Sequence, residues 1–171
     1  CVYVAGGKHN FVHNTIAAYY GYPYTNLNIH NNILADDVAA VYINNLSKNN
    51  AKTNSSFSNC IITGGRKNNL VVATPLSDYY EGRFEGNYLR TDSLDEVYAK
   101  NNVYASDSDS CVFRNIYYLY KEYHYYDFRL DSLSPARGIG DSIVALSYPQ
   151  DRAGNRRKQY PDAGCYEYIE E

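Results

Sequence analysis

No run of about 20 apolar residues occurs in the chain, so it encodes no bilayer-spanning helix. No two cysteines are closely spaced. Cys1, Cys60, Cys111 and Cys165 match no zinc-ligand pattern such as C-x-x-C, so no metal site is expected. Their even number permits two disulfides, but their apolar or Tyr-rich surroundings favour free, mostly buried thiols. There is no excess of positive charge either. A net charge of -3 and a pI near 5.8 argue against a nucleic-acid partner, which a broad basic field would attract. Charged residues make up 20% and apolar residues 44%, too much apolar matter and too little repulsion for a disordered chain. Trp and Met are absent, and the opening "CVYVAGGKHN" lacks the basic and apolar regions of a signal peptide. It has the texture of a mid-strand, so further coils are expected upstream, with any lipid anchor outside the 171 residues.

What is abundant is Tyr, with 21 residues, and Asn, with 19. Tyr favours strands, while Asn favours turns and tolerates a left-handed backbone, so many short strands joined by tight corners are expected and helix is not. Asn also recurs between apolar residues at strand spacing. Asn14 lies between Val12 and Ile16, Asn31 between Ile29 and Ile33, Asn59 between Phe57 and Ile61, and Asn101 between Ala99 and Val103. If the flanking residues point into a core, so does the amide, and a buried amide without partners is costly. Stacked parallel coils would solve this, each amide bonding those above and below as in the Asn ladders of cross-β stacks. The fold class expected is therefore all-β, a parallel β solenoid with coils over 1–105 and a terminal coil plus cap over 106–171. An inward ladder of Asn14, Asn31, Asn59 and Asn101 would line it.

The tail has a texture of its own. Ser134, Pro135 and Ala136 precede Gly138 and Gly140; Asp151, Gly154 and Arg157 form D-x-x-G-x-x-R; Asp162, Gly164, Cys165, Tyr166 and Glu167 follow. Over roughly 128–168 this pattern resembles the C-terminal cap of right-handed parallel β-helix repeat proteins from bacterial secreted and surface families, described as choice-of-anchor Q proteins. Cys165 stands where that family usually has Ala, and "RGIG" replaces a more acidic run. The resemblance implies a right-handed β-helix, an extracellular or bacterial cell-surface location, and a tail that covers the last open coil. Read without the family, "DRAGN" and "PDAG" are tight turns, and Arg157 and Glu167 are placed to pair. Asp151, Gly154, Arg157, Asp162, Gly164 and Glu167 are thus structural.

With the Asn inward, the neighbouring residues face outward, which stacks His13 beside His30 on an external strip. Such a pair could contact a sugar or partner; no third metal ligand accompanies it. Tyr117, Tyr118, Tyr120, Tyr123 and Tyr125, with His124 and Tyr126, form a second candidate surface, since Tyr offers an apolar face for a glycan ring. Catalytic candidates are weaker. Asp36 and Asp37 are adjacent acids, whereas inverting hydrolysis needs carboxylates on facing strands roughly 6.5–9.5 Å apart. Arg66 and Lys67, with Asp107 and Asp109, match a polysaccharide lyase by residue type only, a chemistry that would bring Ca²⁺ as its cofactor. The expectation is a non-catalytic, cofactor-free scaffold that binds a polysaccharide or a surface protein. The alternative is a β-helix lyase or glycosidase acting on an acidic polysaccharide.

Overall fold

A computed structural model describes residues 2–19, 39–44, 52–73, 80–92, 94, 99–106, 109, 111–116 and 126–170. Among them β1 (Val2–Val4), β4 (Val41–Ile43) and β7 (Leu70–Val72) form a first parallel sheet. The second is built from β2 (Gly7–Val12), β5 (Thr53–Ser58), β8 (Tyr80–Glu85) and β10 (Ala99–Lys100). The third holds β3 (Thr15–Ala18), β6 (Ile61–Gly64), β9 (Tyr88–Leu89) and β11 (Val103–Tyr104). An antiparallel pair, β12 (Phe113–Asn115) and β13 (Asp127–Leu130), and the five-residue helix α1 (Ser142–Leu146) complete the described elements. The protein is all-β, and successive passes of the chain visit the three large sheets in one order.

Alternation fixes which residues line the space between the sheets. In β5, Thr53, Ser55 and Phe57 are buried while Asn54, Ser56 and Ser58 are less so. Parallel pairing puts Phe11, Phe57 and Phe84 in register, and their rings stack at 4.5 and 5.2 Å between centroids. The third sheet contributes Ile16, Ile62 and Leu89, and the first Val4, Ile43 and Val72. Phe57 and Phe84 are almost wholly buried, and truncating either to Ala would cost about 3–5 kcal/mol. A slip of one residue would send Asn54 and Ser56 inward instead, so the register is strongly specified.

The corner between the second and third sheets corrects the expected ladder. Each corner has two residues, and the first carries a positive φ: His13 (51°), Asn59 (54°), Gly86 (67°) and Asn101 (53°). A Cβ resists this left-handed conformation by about 1–2 kcal/mol, which Gly avoids and a short polar side chain offsets locally. The ladder runs through the second residue. Asn87 Nδ2 donates to Asn102 Oδ1 at 2.9 Å and to the Phe57 carbonyl, Asn102 Nδ2 donates to the Phe84 carbonyl, and Asn87 Oδ1 accepts from the Cys60 N–H at 2.7 Å. Cys60 takes the same position one pass earlier, its thiol donating to the Phe11 carbonyl at 3.4 Å. Asn14 is exposed; its side chain donates to the Val12 carbonyl within its own pass, and only its backbone carbonyl, which accepts from the Ile61 N–H, reaches the next. Asn59 and Asn101 are therefore corner residues, not ladder rungs, and Asn101 is exposed; Asn31 lies outside the described residues.

The third sheet is buried on both faces. Ile61, Tyr88 and Val103 point away from the inner core into a second cluster with Tyr19, Val112, Phe113, Leu130, Ala136 and Ala163. The cover is the tail. Its Gly164 N–H donates to the Asn59 carbonyl, and its Cys165 N–H donates to Thr15 Oγ1 at 3.1 Å. A Cβ on Gly164, at φ 91°, would sit 2.7 Å from Thr15 Oγ1 and 2.8 Å from Ile61 Cδ1. The described part of the tail lies along this outer face of the third sheet, from Thr15 on the first pass to Tyr88 and Val103 on later ones.

Candidate functional site

Two regions concentrate polar chemistry, and the first lies beneath the tail. Asn59, wholly buried, clips the Asp141 backbone: its Oδ1 accepts from the Asp141 N–H at 2.7 Å and its Nδ2 donates to the Asp141 carbonyl at 2.9 Å. The Asp141 carboxylate in turn caps α1 through the N–H groups of Ile143 and Val144. The same Nδ2 stands 3.1 Å from His13 Nε2, which makes that nitrogen the acceptor and puts the ring proton on Nδ1. Burial, then the charge of Arg157, pull the His13 pKa down to about 4, so the ring is neutral at pH 7. The expected outward strip is thus corrected. His13 is buried, its ring edge-on to Tyr148, because the left-handed corner turns it toward the tail; His30 lies outside the described residues.

The residues of the tail motif converge on this corner. Arg157 Nη1 bonds Glu167 Oε1 at 2.8 Å with both side chains buried, and Arg157 Nη2 reaches the Gly164 carbonyl. Burial and then the Asp162 charge push the Glu167 carboxyl up, against the pull of Arg157. Asp151 accepts from the N–H groups of Ala153, Asn155 and Glu167; burial alone would raise its pKa, but these donors and the Asn155 amide hold it below the ordinary value. Asp162 accepts from the N–H groups of Gly138 and Tyr168. Gly154 takes φ 86° in the turn that Asp151 closes. Most donors and acceptors here tie chain segments together, while His13 Nδ1, Arg157 Nε and Glu167 Oε2 are buried without a hydrogen-bond partner.

The second region is the outer surface of the sheets. Tyr3 and Tyr42 are in register on the first sheet, their rings stacked at 5.9 Å and 9°, with Tyr3 66% exposed; Val71 is next in the column. Beside them the second sheet shows a polar strip. Ser56 Oγ donates to Asn10 Oδ1 at 2.8 Å, Lys52 lies 3.5 Å from Glu81, and Lys100 lies 3.8 Å from Glu85. Neither Tyr3 nor Tyr42 stood out in the sequence, where the signal was only an apolar, Tyr, apolar alternation in "VYV" and "VYI".

The other sequence candidates scatter. Arg66 and Lys67 sit in the corner between β6 and β7, Lys67 exposed and 3.5 Å from Asp92. Asp109 is occupied by the Tyr88 hydroxyl at 2.8 Å and the Ser106 N–H; burial and this hydrogen bond push the phenol far up. Tyr126 stacks on Phe128 at the edge of the second cluster. Asp36, Asp37, Asp107, Tyr117, Tyr118, Tyr120, Tyr123, His124 and Tyr125 lie outside the described residues. Cys60 and Cys165 are free thiols, and among the described residues no three His, Cys, Asp or Glu side chains converge as metal ligands. Among the described residues no helix is long and apolar enough to cross a membrane. Comparison with models of protein families and with curated proteins returns no match.

Proposed function

We propose that the chain is part of a secreted or cell-surface right-handed parallel β-helix that binds glycan or a partner protein without transforming it. The topology supports the architecture: the sheets recur in one order, and each strand pairs in parallel with its counterpart on the next pass. Parallel connections of this kind are right-handed in about 98% of cases. The flank-covering tail, with its Asp151, Arg157, Asp162 and Glu167 ties, is the choice-of-anchor Q type element of this reading. It needs no cofactor.

The observation that carries binding is the stacked Tyr3 and Tyr42 pair on a parallel sheet, Tyr3 exposed and Tyr42 half-buried. Two stacked rings, held by neighbours Val4, Val41 and Ile43 in the inner core, offer a rigid apolar step for pyranose faces and hydroxyls for their edges. The test is binding of the full chain to a panel of neutral and acidic polysaccharides, repeated with Tyr3→Ala plus Tyr42→Ala. Retention of at least one glycan, weakened about tenfold by the double variant, is expected, equivalent to ~1.4 kcal/mol. Unaltered binding by the double variant, or release of shortened or unsaturated sugars, would refute it.

A further inference from the structure

The segment from Asp141 to Tyr148, which carries α1, is held to the strands by few contacts. Among the described residues both hydrogen bonds that tie it to the stack come from one side chain, Asn59, through the Asp141 N–H and carbonyl. Its Ala145 is buried, but Ile143 and Leu146 are 74% and 80% exposed, and the Tyr148 ring meets the stack edge-on at His13. Upstream, Gly138 takes φ 67° with open space where a Cβ would be, a position free to act as a hinge. Downstream, the Pro149 carbonyl is anchored by the Arg157 N–H. A short lobe with one clip and a glycine hinge opens at lower cost than the apolar cover built around Ala136, Leu130 and Ala163.

The clip has a fixed polarity. A backbone N–H and a backbone carbonyl of Asp141 dictate which end of the Asn59 amide faces which, so Nδ2 must face the carbonyl, and it also points at His13 Nε2 from 3.1 Å. Only a neutral ring can accept that bond. A proton on Nε2 would set donor against donor, and turning the amide over to suit the ring would set Oδ1 against the Asp141 carbonyl and Nδ2 against its N–H. His13 Nδ1 is buried without a partner, so a charged ring has no hydrogen-bond acceptor at either nitrogen while the clip is closed. Around the ring stand Arg157, paired with Glu167, and behind that pair Asp162 and Asp151, all on the tail. The Asp141 carboxylate is turned to the α1 N–H groups, the Tyr148 ring lies edge-on, and Cys165 follows Gly164. On the strand side the Cys60 thiol is spent on the Phe11 and Ser58 carbonyls. Among the described residues no carboxylate bonds the ring to offset a charge.

We infer that the α1 segment is an acid-released latch: protonation of His13 inverts the bond that fixes Asn59, and residues 141–148 swing off the corner while the rest of the tail stays on the third sheet. The imidazolium so formed also stands next to the Arg157 charge, and opening relieves both conflicts by giving the ring to water. The ring titrates at about 4 when latched and near 6.5 when free, so the closed form is fully favoured above pH 6.5 and its advantage is lost as the pH falls to 4. Over that range the open form gains on the order of 100-fold. Opening uncovers His13, Asn59 and Gly86, the last lying so close that a Cβ on it would come 3.0 Å from the Asp141 nitrogen.

The experiment follows amide hydrogen exchange of the full chain between pH 7 and pH 4, corrected for the intrinsic pH dependence of exchange, in the parent and in His13→Gln. Gln offers Asn59 an acceptor that does not titrate. In the parent the Asp141 N–H should lose on the order of 100-fold of its protection as the pH falls, while the Ala163 N–H, bonded to the Ala136 carbonyl, and that of Phe57 change by less than tenfold. In His13→Gln the loss at Asp141 should shrink to less than tenfold. The ring nitrogen shifts of His13 in the parent give a second readout that needs no variant: Nε2 should be unprotonated at pH 7 and take its proton over the same pH range in which Asp141 opens. An equal loss of protection in parent and variant would overturn the latch and assign the opening to the carboxylates of the tail. Equal loss at Asp141, Ala163 and Phe57 would overturn it in favour of global unfolding, and a ring still neutral where Asp141 is already open would do the same for His13 as the trigger.

Discussion

Replacing Asn59 by Ala should loosen the tail along its whole length. The side chain is fully buried and makes one accepted and two donated contacts, to the Asp141 N–H, the Asp141 carbonyl and His13 Nε2. Each half-buried group left without a partner costs about 1–3 kcal/mol, and Ala at φ 54° adds roughly 1. Partial rehydration of Asp141 reduces the sum, so about 3–5 kcal/mol is expected, a large share of the 5–15 kcal/mol typical of a domain. Asn59→Gly removes the amide but not the backbone compatibility, and should recover roughly 1 kcal/mol of the loss. Urea unfolding measures the total, and amide hydrogen exchange locates it. Fast exchange at Asp141 and Gly164, whose N–H groups bond Asn59 side chain and backbone, is expected in the Ala variant while Phe57 and Phe84 stay protected. A variant within about 0.5 kcal/mol of the parent, with Asp141 still protected, would show that the clip does not hold the tail.

Two further outcomes follow from the same corner and the ladder beside it. His13 has a folded pKa of about 4 against 6.5 when unfolded, so between these values the unfolded chain binds more protons and stability falls as pH falls. The contribution is complete above pH 6.5 and is lost toward pH 4, on the order of 3 kcal/mol; His13→Gln should flatten that slope, and an identical pH profile in the variant would refute the assignment. Cys60, pushed up to about 12 by burial, should resist iodoacetamide in the native protein at pH 8 and react only on unfolding. Labelling of native Cys60 at the rate of an exposed thiol would mean that its donation to the Phe11 carbonyl is not the resting state.

The gap between sequence and structure is largely a matter of one residue of register. The spacing of Phe57, Asn59 and Ile61 matches one side of a single strand, but a two-residue corner separates β5 from β6, and its left-handed first residue resets the alternation. Phe57 then faces the inner core while Ile61 faces the tail, and the buried amide at Asn59 bonds the tail instead of a ladder. The same reset turned His13 toward the tail. Composition could still reveal short strands and corners, because Tyr and Asn preferences act locally. The tail ties of Asp151 were legible as a turn for the same reason, whereas a bond from Cys165 to Thr15 joins residues 150 apart and leaves no local trace. Yet one local trace of the cover did exist. In "CIITG" adjacent Ile61 and Ile62 are both apolar, and a strand that does not alternate is one that expects cover on both faces. With its inner face, Ile16, Ile62 and Leu89, already committed to the core that holds Phe57 and Phe84, the third sheet needed apolar matter outside the stack, and Ala136, Ala163 and Leu130 downstream are what covers it.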